Sequence, residues 1–192
     1  MISDEKNFIF LHIPKCGGNS ILEKIKHWRA DSYERFQPPC HLPISQFPLN
    51  LRKTYFKFTF VRNPWDRFVS AYSYLKKGGN GVAPQDLRSQ KRINKYNSFS
   101  DFVKDDNFFE MWHFKPLSFY IDDEMDFIGK VENLQQDFNI VCDKIGIPHQ
   151  ELPHKNKSKH KHYIEYYSDE TIEIVAKKYA KDIEYFGYKF GG

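Results

Sequence analysis

Two short stretches hold side chains whose types and spacing could grip a phosphate-like anion. The first is Pro14-Lys15-Cys16-Gly17-Gly18-Asn19-Ser20, between an apolar run and a helical pattern. Two glycines let the backbone approach a ligand closely and adopt positive φ. A helix start presents unpaired N–H groups and a partial positive charge. Asn19 and Ser20 add side-chain donors, and Lys15 adds a mobile full charge. The order of residues excludes the nucleoside-triphosphate loop GxxxxGK[ST], in which Lys follows the last Gly. Here Lys15 precedes Gly17 and Gly18, and that motif occurs nowhere in the chain. The competing reading is a plain strand-to-helix turn.

The second stretch carries Arg62 and, eight residues on, Ser70. A guanidinium offers a fixed charge and a fork of donors suited to phosphate. If the chain folds back after Arg62, its guanidinium and the Ser70 hydroxyl converge on one phosphate. Taken alone, the pair also fits a surface Arg and a small residue packed in a helix.

The elements around these residues follow from periodicity and caps. Phe8-Ile9-Phe10-Leu11 is short, aromatic and branched, the pattern of a buried strand. A helix follows the turn, with Ile21, Leu22, Ile25 and Trp28 on one face. Phe36 to Leu51, with four prolines, reads as a loop. Tyr55 to Val61 is a second strand, and Asn63-Pro64 supplies an N-cap with Pro at the first helical position. Gly78 to Asn97 is polar and rich in Gly, Arg and Lys, and reads as a loop. A helix is expected near Asp101 to Phe109, and a strand at Phe127 to Val131. Gln135 to Ile145 forms a helix that stops at Gly146. Asp169 to Tyr185 forms a last helix, capped by Ser168. Alternating strands and helices predict an α/β fold, a single domain over residues 1–192 with a central parallel sheet flanked by helices. Ligands in such sheets sit beyond the carboxyl ends of the strands, where both motifs fall.

Bulk properties narrow the function classes. The chain has 192 residues, enough for one domain with a real core. Eighteen Phe and 12 Tyr supply large apolar surfaces for that core. A net charge of +4 suits an anionic ligand but falls short of a nucleic-acid-binding composition. Three cysteines, Cys16, Cys40 and Cys142, with no CxxC, argue against a disulfide framework and for reduced thiols in a cytoplasmic protein. No apolar run is long enough for a transmembrane helix, and no signal peptide is evident at the start of the chain.

Ile9 to Ser20 resembles the 5′-phosphosulfate loop of sulfotransferases that use 3′-phosphoadenosine 5′-phosphosulfate (PAPS). Phe58 to Tyr72 is similar to their 3′-phosphate motif, and the match is best with the carbohydrate-type branch, sulfotransferase family 2. Phe127 to Leu134 and Tyr179 to Tyr188 are also similar to that branch. The departures are small: Cys16 stands where Thr is usual, and Lys130 where Arg is common. The resemblance implies the P-loop-like nucleotide-binding core of the sulfotransferase type, PAPS as co-substrate and no metal. It implies transfer of a sulfuryl group to an acceptor hydroxyl on a carbohydrate, glycolipid or small molecule. Lys15 then faces the leaving-group oxygen, Cys16, Gly17, Gly18, Asn19 and Ser20 hold the 5′-phosphate, and Arg62 and Ser70 hold the 3′-phosphate. The chain is short for this branch, which leaves an open acceptor site or one completed by a second copy in a homo-oligomer.

The transfer needs a base for the acceptor proton. His41 is the first candidate, because related carbohydrate enzymes place a basic His in that region; a solvated loop His is the alternative. Glu132 is the second candidate, with an ion-pair role equally open. His12 is read as a packed, hydrogen-bonded core residue, and no spacing argument supports His113. The basic stretch His154 to His162 is either a solvated loop or a lid over the nucleotide phosphates, with Lys155 and Ser158 as its cofactor-binding residues. A zinc site from His154, His160 and His162 is disfavoured by the lysines between them. Two other functions fit parts of the pattern: a non-catalytic module that binds nucleotide or sulfated glycan, and a nucleotide kinase, which the missing GxxxxGK[ST] disfavours.

Overall fold

The computed structural model describes residues 1–36, 41–153 and 161–192, apart from the Asp106 side chain. Four strands form one sheet: β1 (Ile2–Ser3), β2 (Phe8–Leu11), β3 (Phe56–Val61) and β4 (Phe127–Lys130). The helices, in chain order, are α1 (Gly18–Ile25), α2 (Leu49–Thr54), α3 (Pro64–Lys76), α4 (Pro84–Ile93), α5 (Phe99–Lys104), α6 (Leu117–Tyr120), α7 (Leu134–Ile145), α8 (Asp169–Lys178) and α9 (Ala180–Phe186). The described residues divide into two compact units, Met1–Arg62 with 117–153, and Asn63–Pro116 with 161–192.

The first unit contains the sheet, in the order β1-β2-β3-β4. β2, β3 and β4 are parallel, with Phe10 opposite Phe58 and Thr59 opposite Ile128. β1 is antiparallel to β2 and was not foreseen, since two residues are too short to show a period. Alternation puts Phe8, Phe10, Phe58 and Phe60 on one sheet face. That face is closed by Ile21, Leu22 and Ile25 of α1 and by Phe138, Val141, Cys142 and Ile145 of α7. Phe10 and Phe58 stack at 5.0 Å between ring centroids. Each such buried ring contributes on the order of 1.5–3 kcal/mol. Gly129 sits under the Phe60 ring, where a Cβ would approach Cε1 to 2.5 Å, so the sheet tolerates only glycine there. α7 ends at Gly146 with φ 66°, as the sequence predicts. From residue 41 on, the proline-rich stretch is more ordered than expected, with a short 3₁₀ turn at Ile44–Gln46 and α2 beginning after Pro48.

The second unit is helical and aromatic. Asn63 caps α3 by accepting from the Trp65 N–H, and Pro64 follows, as read from the sequence. Phe68 lies at the centre of its core, with Phe99, Phe102, Phe108, Phe114 and Tyr179 around it at 4.7–6.4 Å. Two expectations fail here. Residues 84–93 form α4 rather than loop; this helix buries little apolar surface beyond Ile93, so its sequence shows no clear stripe. It is tied down instead by buried Asp86, which accepts from the Tyr74 hydroxyl at 2.9 Å. The last helix is broken at Tyr179, whose φ and ψ of −107° and 23° leave the helical region. The buried Tyr179 hydroxyl donates to the Phe114 carbonyl at 2.6 Å. Among the described residues no helix is long and apolar enough to cross a membrane.

Candidate anion-binding and proton-transfer site

Because β2, β3 and β4 are parallel, their carboxyl ends lie along one edge of the sheet. β2 runs into residues 12–20, β3 delivers Arg62, and β4 delivers the turn Val131–Asn133. The Thr59 hydroxyl, buried on β3, donates to the Leu11 carbonyl at 2.8 Å and pins the first two ends together.

The loop after β2 is shaped by two left-handed residues, Lys15 at φ 67° and Gly17 at φ 74°. Glycine takes this conformation without strain, whereas a lysine does so at a cost. Among the described residues nothing accepts from the backbone N–H groups of Gly17, Gly18 or Asn19, while the Gly17 carbonyl accepts from Ser20 N at 3.1 Å. Three successive donors at the start of an eight-residue helix, beside a lysine, form a cradle for an oxyanion. The Cys16 N–H, by contrast, turns to the Ile13 carbonyl at 3.4 Å. Gly17 packs on Leu134 and Val131, so the β4–α7 junction braces the loop. Gly18 has no room for a side chain: a Cβ there would lie 2.1 Å from His12 Cδ2. Arg62 reaches the same loop, its Nη1 donating to the Lys15 carbonyl at 3.3 Å.

His41 joins this group from the segment that precedes α2. Its Nδ1 lies 2.8 Å from the His12 carbonyl oxygen. A carbonyl can only accept, so Nδ1 carries the hydrogen and Nε2 carries the lone pair of the neutral ring. That is the tautomer of a general base acting through Nε2. The His12 and His41 rings are tilted against each other at 4.6 Å. His12 is packed, as expected, but not hydrogen-bonded as expected: its buried Nδ1 has no partner among the described residues. Burial first, then His41, the amino terminus and Lys15, hold the His12 pKa well below the ordinary 6.5.

The structure therefore brings together Lys15, Cys16, Gly17, Gly18, Arg62 and His41 within the first unit. Asn19 is exposed and Ser20 buried on the first turn of α1. Glu132 is exposed in the turn after β4, next to the Val131 that touches Gly17. Lys130 donates its backbone N–H to Asp137 at 2.6 Å, which anchors the start of α7. Ser70 belongs to the second unit, buried on α3. In that unit His113 lies 4.0 Å from buried Asp86. Lys155 and Ser158, with His154 and His160, lie outside the described residues. Among the described residues no cluster of His, Cys, Asp and Glu could hold a metal ion.

Sequence reasoning missed two contributors. Thr59 had no signal beyond its place in a strand. The His12 carbonyl, which orients His41, is a backbone group that side-chain motifs cannot reveal.

A cation-bearing glycine loop thus follows the first parallel strand, and an Arg ends the next. The sulfotransferase family model matches residues 1–189, and the chain belongs to that family. Carbohydrate sulfotransferase 14 of Danio rerio is 25% identical over 231 residues, covering 98% of this chain and 61% of its own length. Carbohydrate sulfotransferase 10 of Xenopus laevis is 22% identical over 236 residues, covering 98% of this chain and 66% of its own. An uncharacterized protein of Archaeoglobus fulgidus is 37% identical over 102 residues, covering 49% of this chain and 70% of its own. The chain thus spans a little under two thirds of the two carbohydrate sulfotransferases.

Proposed function

We propose that this protein transfers a sulfuryl group from PAPS to an acceptor hydroxyl on a carbohydrate or glycolipid. The observation that carries the reading is the set of N–H groups of Gly17, Gly18 and Asn19, unmatched among the described residues and set beside Lys15 and Arg62 at adjacent strand ends. This set fits an anionic donor: backbone donors for the 5′-phosphate, a lysine where negative charge grows on the leaving oxygen, and a guanidinium for the 3′-phosphate.

In the reaction the bond between sulfur and the phosphate oxygen breaks, and a bond from the acceptor oxygen to sulfur forms. In-line placement of the three atoms lowers the barrier. His41 takes the acceptor proton on Nε2, and the resulting imidazolium is steadied by its Nδ1–H bond to the His12 carbonyl. Adenosine 3′,5′-bisphosphate leaves, its new charge met by Lys15. Glu132 remains the second choice of base, since it is exposed beside the loop. The carbohydrate acceptor rests on the names of the two vertebrate relatives.

The test is binding of adenosine 3′,5′-bisphosphate to the wild type and to Arg62→Ala. The variant should bind at least about tenfold more weakly, the loss of one charge-assisted contact. Equal affinity would remove Arg62 from the 3′-phosphate site. For the base, His41→Ala should keep nucleotide affinity and lose turnover in the presence of PAPS and a glycan panel read by mass spectrometry.

A further inference from the structure

Besides the carbonyl that accepts the His41 Nδ1–H at 2.8 Å, His12 makes three ring contacts that no part of the donor or base chemistry requires of a side chain at the end of β2. Its ring lies 4.6 Å from the His41 ring, and on the other side it occupies the space in which any Cβ on Gly18 would fall, 2.1 Å from Cδ2 and 2.2 Å from Nε2. A third face stacks on Phe10 at 5.8 Å, which roots the ring in the core. The same residue thus touches the base, the cradle and the sheet.

The polarity of the ring is also unexplained by packing. His12 is 8% exposed, and its buried Nδ1 has no partner among the described residues. An unpartnered buried nitrogen destabilises a fold, and an apolar ring would avoid that cost. Residues that break a local rule without a packing gain concentrate at functional sites.

We infer that His12 is a positioning residue: its ring is the spacer that holds His41 at a fixed distance from the N–H groups of Gly18 and Asn19. A base and an anion cradle must be in register for in-line transfer, and a displacement of the base by about 1 Å costs on the order of 100-fold in rate. The ring sets this register because it fills the space beside the Gly18 backbone and stacks on Phe10 in the core. The inference rests on the reading of His41 as the base.

Three measurements test it. In the unaltered protein, long-range ¹H–¹⁵N correlation should show His41 as a single tautomer with the hydrogen on Nδ1. A His41 ring protonated on Nε2, or averaging between tautomers, would overturn the inference without any substitution. In His12→Ala, which keeps the carbonyl but loses the ring, kcat should fall about 100-fold with adenosine 3′,5′-bisphosphate affinity at the wild-type level. Wild-type kcat would also overturn it. If His12→Ala does not fold, Gly18→Ala and His12→Ala/Gly18→Ala decide: the double variant should be more stable than Gly18→Ala, because the methyl enters the space the ring left. A double variant no more stable than Gly18→Ala would show that the ring does not set that spacing. Failure of the base reading looks different: His41→Ala would keep turnover while the His41 tautomer stayed as described.

Discussion

The two units solve different problems with the same aromatic-rich composition. In the first, Phe8, Phe10, Phe58 and Phe60 form one face of a sheet whose strand ends carry Arg62 and the Lys15 loop. Its critical positions are fixed by backbone: left-handed Lys15 and Gly17, and Gly18 and Gly129 beneath rings. In the second, aromatic rings pack on each other around Phe68, and buried polar groups such as Arg67 and Asp86 tie helices and turns together. Arg67, 2% exposed, donates to the Lys115 carbonyl at 2.8 Å, and Asp86 binds Tyr74. A mutation in the first unit should therefore damage chemistry before stability, and one in the second the reverse.

The sharpest way to break this contrast is Phe68→Ala. Loss of a fully buried ring from a core should cost about 3–5 kcal/mol, read by urea unfolding. Nearly unchanged stability would mean that the aromatic cluster is not the support it looks like. Next is Lys15→Ala, which should lower kcat by about 10²–10³-fold. Its unfolding midpoint should stay close to the wild type; a large loss of stability would make Lys15 a structural residue and erase the contrast. Ser168→Ala, which removes the hydroxyl that accepts from Thr171 N at the start of α8, should cost about 1 kcal/mol and leave kcat untouched.

The smallest expected effect is a pH dependence of stability set by His12, absent at neutral pH and growing below it. His12 is held neutral in the fold, its pKa well below 6.5, while in the unfolded chain it takes a proton near the ordinary value. The unfolded state then binds more protons, so stability is full above about pH 6.5 and falls as the pH drops towards the folded pKa. Urea titrations between pH 7 and 5 should show this slope in the wild type and a shallower one in His12→Gln. Identical slopes would mean that His12 is not buried as a neutral ring.

How much of this was legible in the sequence divides along the same line. β2, β3, the α3 cap and the stop at Gly146 follow from short-range rules: alternation, Asn-Pro, and a glycine after a helix. The turn at Lys15 to Gly18 and the place of Arg62 after β3 were legible for the same reason, since both follow from neighbours in the chain. What was not legible depends on distant partners. α4 is held by Tyr74 against Asp86 and not by an apolar stripe, so its residues read as loop. Tyr179 breaks the last helix while its hydroxyl bonds a carbonyl 65 residues away. The tautomer of His41 is set by a carbonyl 29 residues earlier.

The division of the chain into units bears on how it is made. Asn63–Pro116 is inserted between β3 and β4, so the first unit is written in two instalments. As the ribosome works from the amino terminus, β2, α1 and β3 emerge with their phenylalanine face covered only in part, by α1. α7, which helps to cover it, follows only after the insertion and β4 have been synthesised. A nascent chain in which residues 134–145 have not yet left the ribosome should thus expose more of that face to chaperones than one in which they have emerged. Neither unit can be cut out as one continuous piece of the gene.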